Sequence, residues 1–446
     1  MKSIQWLLVL LLLTTIPALA TVPDTSTTAT QTDSDIYIVT SHDTFVGLSA
    51  IAAEASPVRN RSGTALILAR TNAAGVDVLA RYVHEQEGRC GGFFAFASRA
   101  EAEAFLANDR TAEAISRPMA GIYTIDNAAT VLPWLPQVQE SNIYDTIDSL
   151  SNGFLNRYYD SSHGRNAALW IRDAWQALAA GYPGASVTLF EDCNSCSTQP
   201  SVILTVPGSD LADEVVVVGG HLDSINGYGW GGEDQIAPGA DDDASGIATT
   251  TEIIRIALTS GWKPRRTVEF HAYAAEEVGL NGSKAIAAQY QSASVNVVAM
   301  LQLDMTNYKD GAPHDIQIIS DNSNNDLLAF FRQLFDTYLA PLGMARRDVA
   351  CGYGCSDHAS WNARGFPAGM IFEAGRTPDY PGDMADFPYI HTANDKLSYM
   401  GNSAQYSVPF AKFGLAFIGE LGKTFSNDIF SDDFEPKPSP GPGDRQ

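Results

Sequence analysis

Two rhythms of hydrophobic and polar positions divide the chain. From residue 35 to about 108, short runs such as "DIYIVTS", "TALILART" and "GGFFAFAS" carry β-branched and aromatic residues at strand spacing. Between and after them, "AAGVDVLARYVHEQE" and "RAEAEAFLAND" set apolar residues three and four apart, as a helix requires. This pattern predicts a small α+β unit. Beyond residue 124 the apolar runs become continuous: "SVILTV", "EVVVVGG", "RTVEFHAYA", "VNVVAMLQLD", "DIQIIS" and "AGMIFEA". Unbroken Val/Ile/Leu runs are expected of strands covered on both faces. They alternate with helical stretches such as "NIYDTIDSLSNGFLNRYY" and "AALWIRDAWQALAA", and "SAQYSVPFAKFGLAFIGELGKTF" supplies a closing helix. The expected fold is α/β, a mostly parallel central sheet sandwiched by helices and preceded by the α+β unit.

The two ends obey other rules. Residues 1–20 carry one Lys, an apolar run and Ala18-Leu19-Ala20, the layout of a signal peptide with an A-x-A cleavage site. The run over 6–16 is shorter than the roughly 20 residues that span a bilayer, so export rather than anchoring is expected. Residues 21–34 form a Thr/Ser-rich leader, and residues 426–446 a Pro/Gly-rich tail expected to be flexible. The expected organisation is therefore a signal peptide at 1–20, an α+β segment at 21–125, a main domain at 126–425 and the tail.

Charge narrows the partners. A formal net charge of −24 and a pI near 4.5 oppose binding to nucleic acid or to an anionic membrane surface, and suit a site that collects cations. Export permits disulfides. Of the five cysteines, Cys193 and Cys196 form one close pair, Cys351 and Cys355 another, and Cys90 is left over. Two local bridges are the simplest reading, and a four-thiolate zinc knuckle is the rival.

The residues just after each buried run change the picture most. "EVVVVGG" leads into His221 and Asp223, "RTVEFHAYA" into Glu276 and Glu277, "VVAMLQL" into Asp304, and "AGMIF" into Glu373 and a loop leading to His391. In open α/β sheets ligands bind at the carboxyl ends of the strands, which is where these polar residues recur. Imidazoles and carboxylates together suit zinc. Two His with several carboxylates exceed what one catalytic ion needs and suit two ions sharing a carboxylate. The run Asp241-Asp242-Asp243 precedes the helical stretch "ASGIATTTEIIRIAL", so its charges stand at a helix N-terminus, where the macrodipole favours them. Asp223 and Asp395 lie close behind His221 and His391 in sequence, and either is placed to orient a ligand imidazole. His42, His84, His163, His271, His314 and His358 are read as structural.

In these stretches the chain resembles the secreted bacterial leucyl aminopeptidases, the co-catalytic di-zinc exopeptidase family best known from marine vibrios. The resemblance rests on "GGHLDS", "APGADDDASG", "AYAAEEVGL", "LQLDMTNY", "CGYGCSDHASW" and "YIHTAND", in that order along about two thirds of the chain. It implies two Zn²⁺ per chain: His221 and Asp304 on one, Glu277 and His391 on the other, and Asp242 bridging both. It makes Glu276 the general base that activates zinc-bound water, Tyr353 a hydroxyl donor to the oxyanion, and Asp223 the partner of His221. Cys351–Cys355 matches the family's disulfide, while Cys193 and Cys196 have no counterpart in its pattern. Met305, Ile319 and Phe372 fall where the family lines an apolar pocket.

The implied substrate is the N-terminus of a peptide or protein with an apolar, Leu-like first residue, cleaved by a secreted monomer. The α+β unit stands where the family has a cleaved prosegment of a zymogen, with a cut around residues 119–129; a permanent accessory domain is the other reading. The loop between Phe372 and His391 looks longer than in the vibrio enzymes, which bears on specificity. Glutaminyl-cyclase-like or carboxypeptidase-like chemistry on the same fold, and a non-catalytic binding domain, are the competing functions. A G-x-S-x-G elbow and an H-E-x-x-H helix are both absent from the sequence.

Overall fold

The structure, a computed structural model, describes residues 35–49, 52–61, 63–83, 92–108, 123–227, 232–351, 353–375 and 387–425. The expected signal peptide and leader, His84, Cys90, part of the expected cut region, part of the 372–391 loop and the tail lie outside them.

The N-terminal unit runs β1 (Ile36–Thr40), α1 (His42–Leu48), β2 (Glu54–Arg59), β3 (Ala65–Thr71), α2 (Ala73–Tyr82), β4 (Phe93–Phe96) and α3 (Arg99–Asn108). Its strands pair antiparallel in the order β2-β3-β1-β4. Asn72 starts α2 by accepting a hydrogen bond from the Gly75 N–H, a cap that satisfies one orphan donor of the first turn. The sequence pattern does not foretell β2. It is an edge strand that contains Pro57 and is almost wholly exposed, so no apolar run marks it.

The larger part begins with α4 (Ala128–Trp134), α5 (Glu140–Gly153), α6 (Ser162–Ala179), β5 (Ser186–Phe190), β6 (Ser201–Val206), β7 (Leu211–His221) and α7 (Ala244–Thr259). It continues through β8 (Arg266–Tyr273), α8 (Asn281–Ser292), β9 (Asn296–Leu303), β10 (Ile316–Ile319), α9 (Asn325–Tyr338), β11 (Arg346–Val349), α10 (His358–Ala363), β12 (Ala368–Phe372) and α11 (Val408–Gly422). These strands form one sheet in the order β11-β10-β12-β9-β7-β8-β6-β5. Its centre, β12-β9-β7-β8, is parallel, as the continuous apolar runs predict. Towards the edges β10, β6 and β5 pair antiparallel, so the whole sheet is mixed. The half-exposed edge strands β5 and β11 are not foretold either, because water on one side removes the need for an apolar run.

Alternation along β7 shows how the core is divided. Val216 and Val218 face one helical layer with α5, α7 and α11, and Val215 and Val217 face the other with α8 and α10. Each such side chain taken fully from water contributes roughly 1.5–3 kcal/mol. Helix α7 is buried on most sides, with the sheet beneath and α5, α6 and α11 around it. That buried helix, starting just after Asp243, fixes the acidic run against the ends of the central strands.

Candidate metal centre

Because β7, β8, β9 and β12 are parallel neighbours, the residues at their carboxyl ends emerge on one edge of the sheet. His221 ends β7, Glu276 and Glu277 lie in the turn after β8, Asp304 comes directly after β9, and His391 comes from the loop beyond β12. All are buried. The start of α7 brings Asp242 into their midst.

The geometry centres on Asp242. Its Oδ1 lies 2.8 Å from His221 Nε2 and its Oδ2 lies 2.8 Å from His391 Nε2. His221 Nε2 is also 3.6 Å from Asp304 Oδ1, and His391 Nε2 is 3.2 Å from Glu277 Oε2. One carboxylate thus divides its two oxygens between two His/carboxylate pairs. Ligand atoms of His221, Asp242 and Glu277 lie within 4.8 Å of one another. Asp243 also comes within that distance of His221 and Asp304. Its oxygens, however, are occupied by the backbone N–H groups of His221 (3.0 Å), Gly246 (2.8 Å) and Met305 (3.1 Å), which makes it a support and not a ligand.

Electrostatics point the same way. Burial pushes the Asp242 carboxyl up, but the imidazoles of His221 and His391 outweigh it and hold it well below the usual carboxylate range. Burial lowers His391, yet Glu277 and Asp242 raise it to about 10. His221 is likewise raised well above the usual value against burial, by Asp304 and Glu276 first. Glu277 is pushed up to about 7, by burial and then by the charge of Asp242. The carboxylates therefore demand cations at both imidazoles. Protons meet that demand poorly: Asp304 Oδ1 and both oxygens of Glu276 are buried without a hydrogen bond among the described residues. Two divalent ions, each facing one His and one carboxylate with Asp242 between, fit this donor set, and oxygen and imidazole nitrogen are donors zinc accepts.

Around the donors the backbone is tied down. Asp223 stands 3.4 Å from His221 Nδ1 and accepts from the N–H groups of Glu276 (2.9 Å) and Glu277 (3.2 Å), so it lies beside the His221 ring and anchors the turn after β8. Asp395 has a backbone role as well. It binds the N–H groups of Asp241 (2.8 Å) and Asp242 (3.1 Å) and so steadies the acidic run. Asp241 accepts from the Asn307 N–H at 3.0 Å. Glu373, at the end of β12, accepts from the N–H groups of Tyr308 (2.9 Å) and Phe387 (2.7 Å), a backbone clamp outside the centre.

Two supports are not evident from sequence. Ser356 donates to Asp304 Oδ2 and itself accepts from Gln302 Nε2. Arg157, fully buried, donates to the carbonyls of Leu222 (2.8 Å), Pro238 (2.6 Å) and Gly239 (2.9 Å), clamping the loop after β7 to the one before α7. Ser356 stands inside the stretch "CSDHASW", but nothing in "LNRYYD" marks its arginine as buried.

The other expected residues take varied places. Tyr353 is half-buried in the loop closed by the Cys351–Cys355 disulfide, and Cys193–Cys196 forms the second bridge. Met305 and Phe372 are buried at the ends of β9 and β12. Ile319 is buried too, but it ends β10, which runs antiparallel to β12 and pairs Gln317 with Phe372, so it lies further from that edge. His271 pairs with Glu269 inside β8, and burial pushes His358 down to about 3; both stand apart from the centre.

Residues 201–407 match the family model described as peptidase family M28. Leucine aminopeptidase 1 of the fungus Arthroderma otae is 38% identical over 325 residues, which cover 70% of this chain and 82% of that protein. The LapA aminopeptidase of Legionella pneumophila superposes with a TM-score of 0.70 at 24% identity, covering 88% of this chain and 99% of that one. LapB of the same organism gives 0.69 at 26%, covering 87% and 99%. Residues 123–425 make up only about two thirds of this chain, so both likenesses extend into the N-terminal unit.

Proposed function

The chain belongs to peptidase family M28 and is an aminopeptidase, and we propose that it is a secreted, two-zinc enzyme that removes apolar, leucine-like residues from the N-termini of peptides and proteins. The observation that carries the two-ion reading is Asp242, with one oxygen 2.8 Å from each of two imidazoles. His221 and Asp304 would hold one ion, His391 and Glu277 the other, and Asp242 both. Zinc bound there supplies a Lewis acid that polarises the scissile carbonyl and makes a nearby water acidic near neutral pH.

Glu276 is the base in this proposal. Its carboxylate is buried, makes no hydrogen bond among the described residues, and is pushed well above the usual carboxylate range, by burial first. Such a group holds a proton long enough to return it. It takes one proton from the attacking water as the oxygen bonds to the carbonyl carbon, and hands it to the leaving nitrogen as the C–N bond breaks. Tyr353 is assigned the hydroxyl that steadies the developing oxyanion. Met305, Ile319 and Phe372 are assigned the apolar lining for the first side chain. The surplus of carboxylates suits the free ammonium of the substrate, which would restrict cleavage to the N-terminus.

Leucine p-nitroanilide and its N-acetylated form test this reading. Release of nitroaniline from the first and none from the second is the expected result. Comparable release from the acetylated compound would exclude an enzyme that requires a free amine.

A further inference from the structure

The resemblance leads one to expect an N-terminal segment that blocks the enzyme until it is cut away. The seam between that unit and the larger part points elsewhere. Ile38, Ile67, Val76, Leu79 and Phe93 form one apolar cluster with Ala274, Ala275 and Val278, the outer side of the turn whose Glu276 and Glu277 serve the metal centre. The approach reaches the backbone. A Cβ on Gly279, which sits at φ +115°, would lie 3.0 Å from both the N and the Cβ of Ala95 in β4.

The turn needs such support. Ala275 (φ 53°) and Leu280 (φ 56°) are non-glycine residues held in the left-handed region, a conformation that persists only where the surroundings enforce it. On the inner side Asp223 holds the Glu276 and Glu277 N–H groups; on the outer side stands β4. Polar contacts join the seam at its borders. Tyr158 donates to Asp77 Oδ1 at 2.8 Å, and the Lys284 ammonium lies 4.2 Å above the Phe96 ring.

We propose that the N-terminal unit is a permanent part of the working enzyme, docked behind the turn that carries Glu276 and Glu277 and holding it in its active conformation. Removing it would expose Ala274, Ala275 and Val278 and leave Lys284 without its cover, which is the arrangement of an interior seam and not of a disposable plug. The Legionella folds, matched well beyond residues 123–425, carry a corresponding part. This inference rests on the aminopeptidase reading only for its assay.

The test uses the full chain, made in a protease-deficient host with a specific protease site placed between residues 109 and 122. Its mass is checked before and after cutting. The uncut chain should hydrolyse leucine p-nitroanilide at full rate, and cutting should change kcat by less than about twofold while the pieces stay together. A rise of about tenfold or more on cutting would overturn the proposal and establish a blocking prosegment.

Phe93→Ala in the uncut chain should lower kcat with zinc content unchanged, whereas a plug loosened in this way would raise it. Should that variant not fold, Tyr158→Phe removes a single contact across the seam and is read the same way. If neither cut nor uncut chain attacks a free-amine anilide, the aminopeptidase reading fails by itself. Amide exchange at residues 274–280 then decides: protection lost when the cut pieces are separated supports the seam's role, and unchanged protection overturns it.

Discussion

Glu276 and Asp242 carry most of the proposed chemistry, and they differ in what they touch. Asp242 faces two imidazoles, while Glu276 has two buried oxygens with no hydrogen-bond partner among the described residues. Removing the base while keeping the shape should therefore separate catalysis from metal binding. Glu276→Gln is expected to lower kcat by about 10²–10⁴-fold, the usual contribution of a positioned base, with unchanged zinc by elemental analysis. Zinc lost along with activity would mean that Glu276 is a ligand. At this scale the sequence was legible where a residue type is rare in its setting: His, Asp and Glu directly after buried apolar runs stand out without a structure. Arg157 did not, nor did the backbone role of Asp395, because loops distant in sequence supply the groups they bind only after folding.

Helix α7 and the three aspartates before it act as one element. Asp243 caps the helix at Gly246 and at the same time binds the N–H groups of His221 and Met305, joining the ends of β7, α7 and β9. Asp243→Ala would leave three buried N–H groups without an acceptor. A loss on the order of 3 kcal/mol is expected, read as a lower urea midpoint in a metal-free sample, where zinc cannot mask it. A loss of only a few tenths would mean that water or a neighbour replaces the carboxylate. The strands were legible unevenly for a related reason. Central ones such as Leu211–His221 announce themselves because both faces are covered, whereas Glu54–Arg59, Ser186–Phe190 and Arg346–Val349 are edge strands. Backbone pairing makes these last three strands, and pairing leaves little trace in side-chain pattern.

For the whole molecule, the seam between the N-terminal unit and the larger part gives stability a pH dependence. Lys284 is buried beneath Phe96 and bonded to Asn281 Oδ1 at 3.1 Å. Burial pushes its pKa down to about 7; the nearby Glu101 charge opposes this and Arg364 adds to it. In the unfolded chain a lysine titrates near ~10.4, so between these values the unfolded state holds the extra proton. This position therefore adds stability as pH rises from about 7 towards 10, and below 7 its full cost is present. Lys284→Met should raise the melting temperature at pH 7 and flatten its rise at higher pH; an unchanged slope would show that the ammonium reaches solvent.

The central claim, that Asp242 stands between two ions, is tested most directly by elemental analysis of the purified full-length chain after dialysis against metal-free buffer. Two zinc ions per chain is the result expected from the geometry. A single zinc per chain, or none, with activity intact would contradict it.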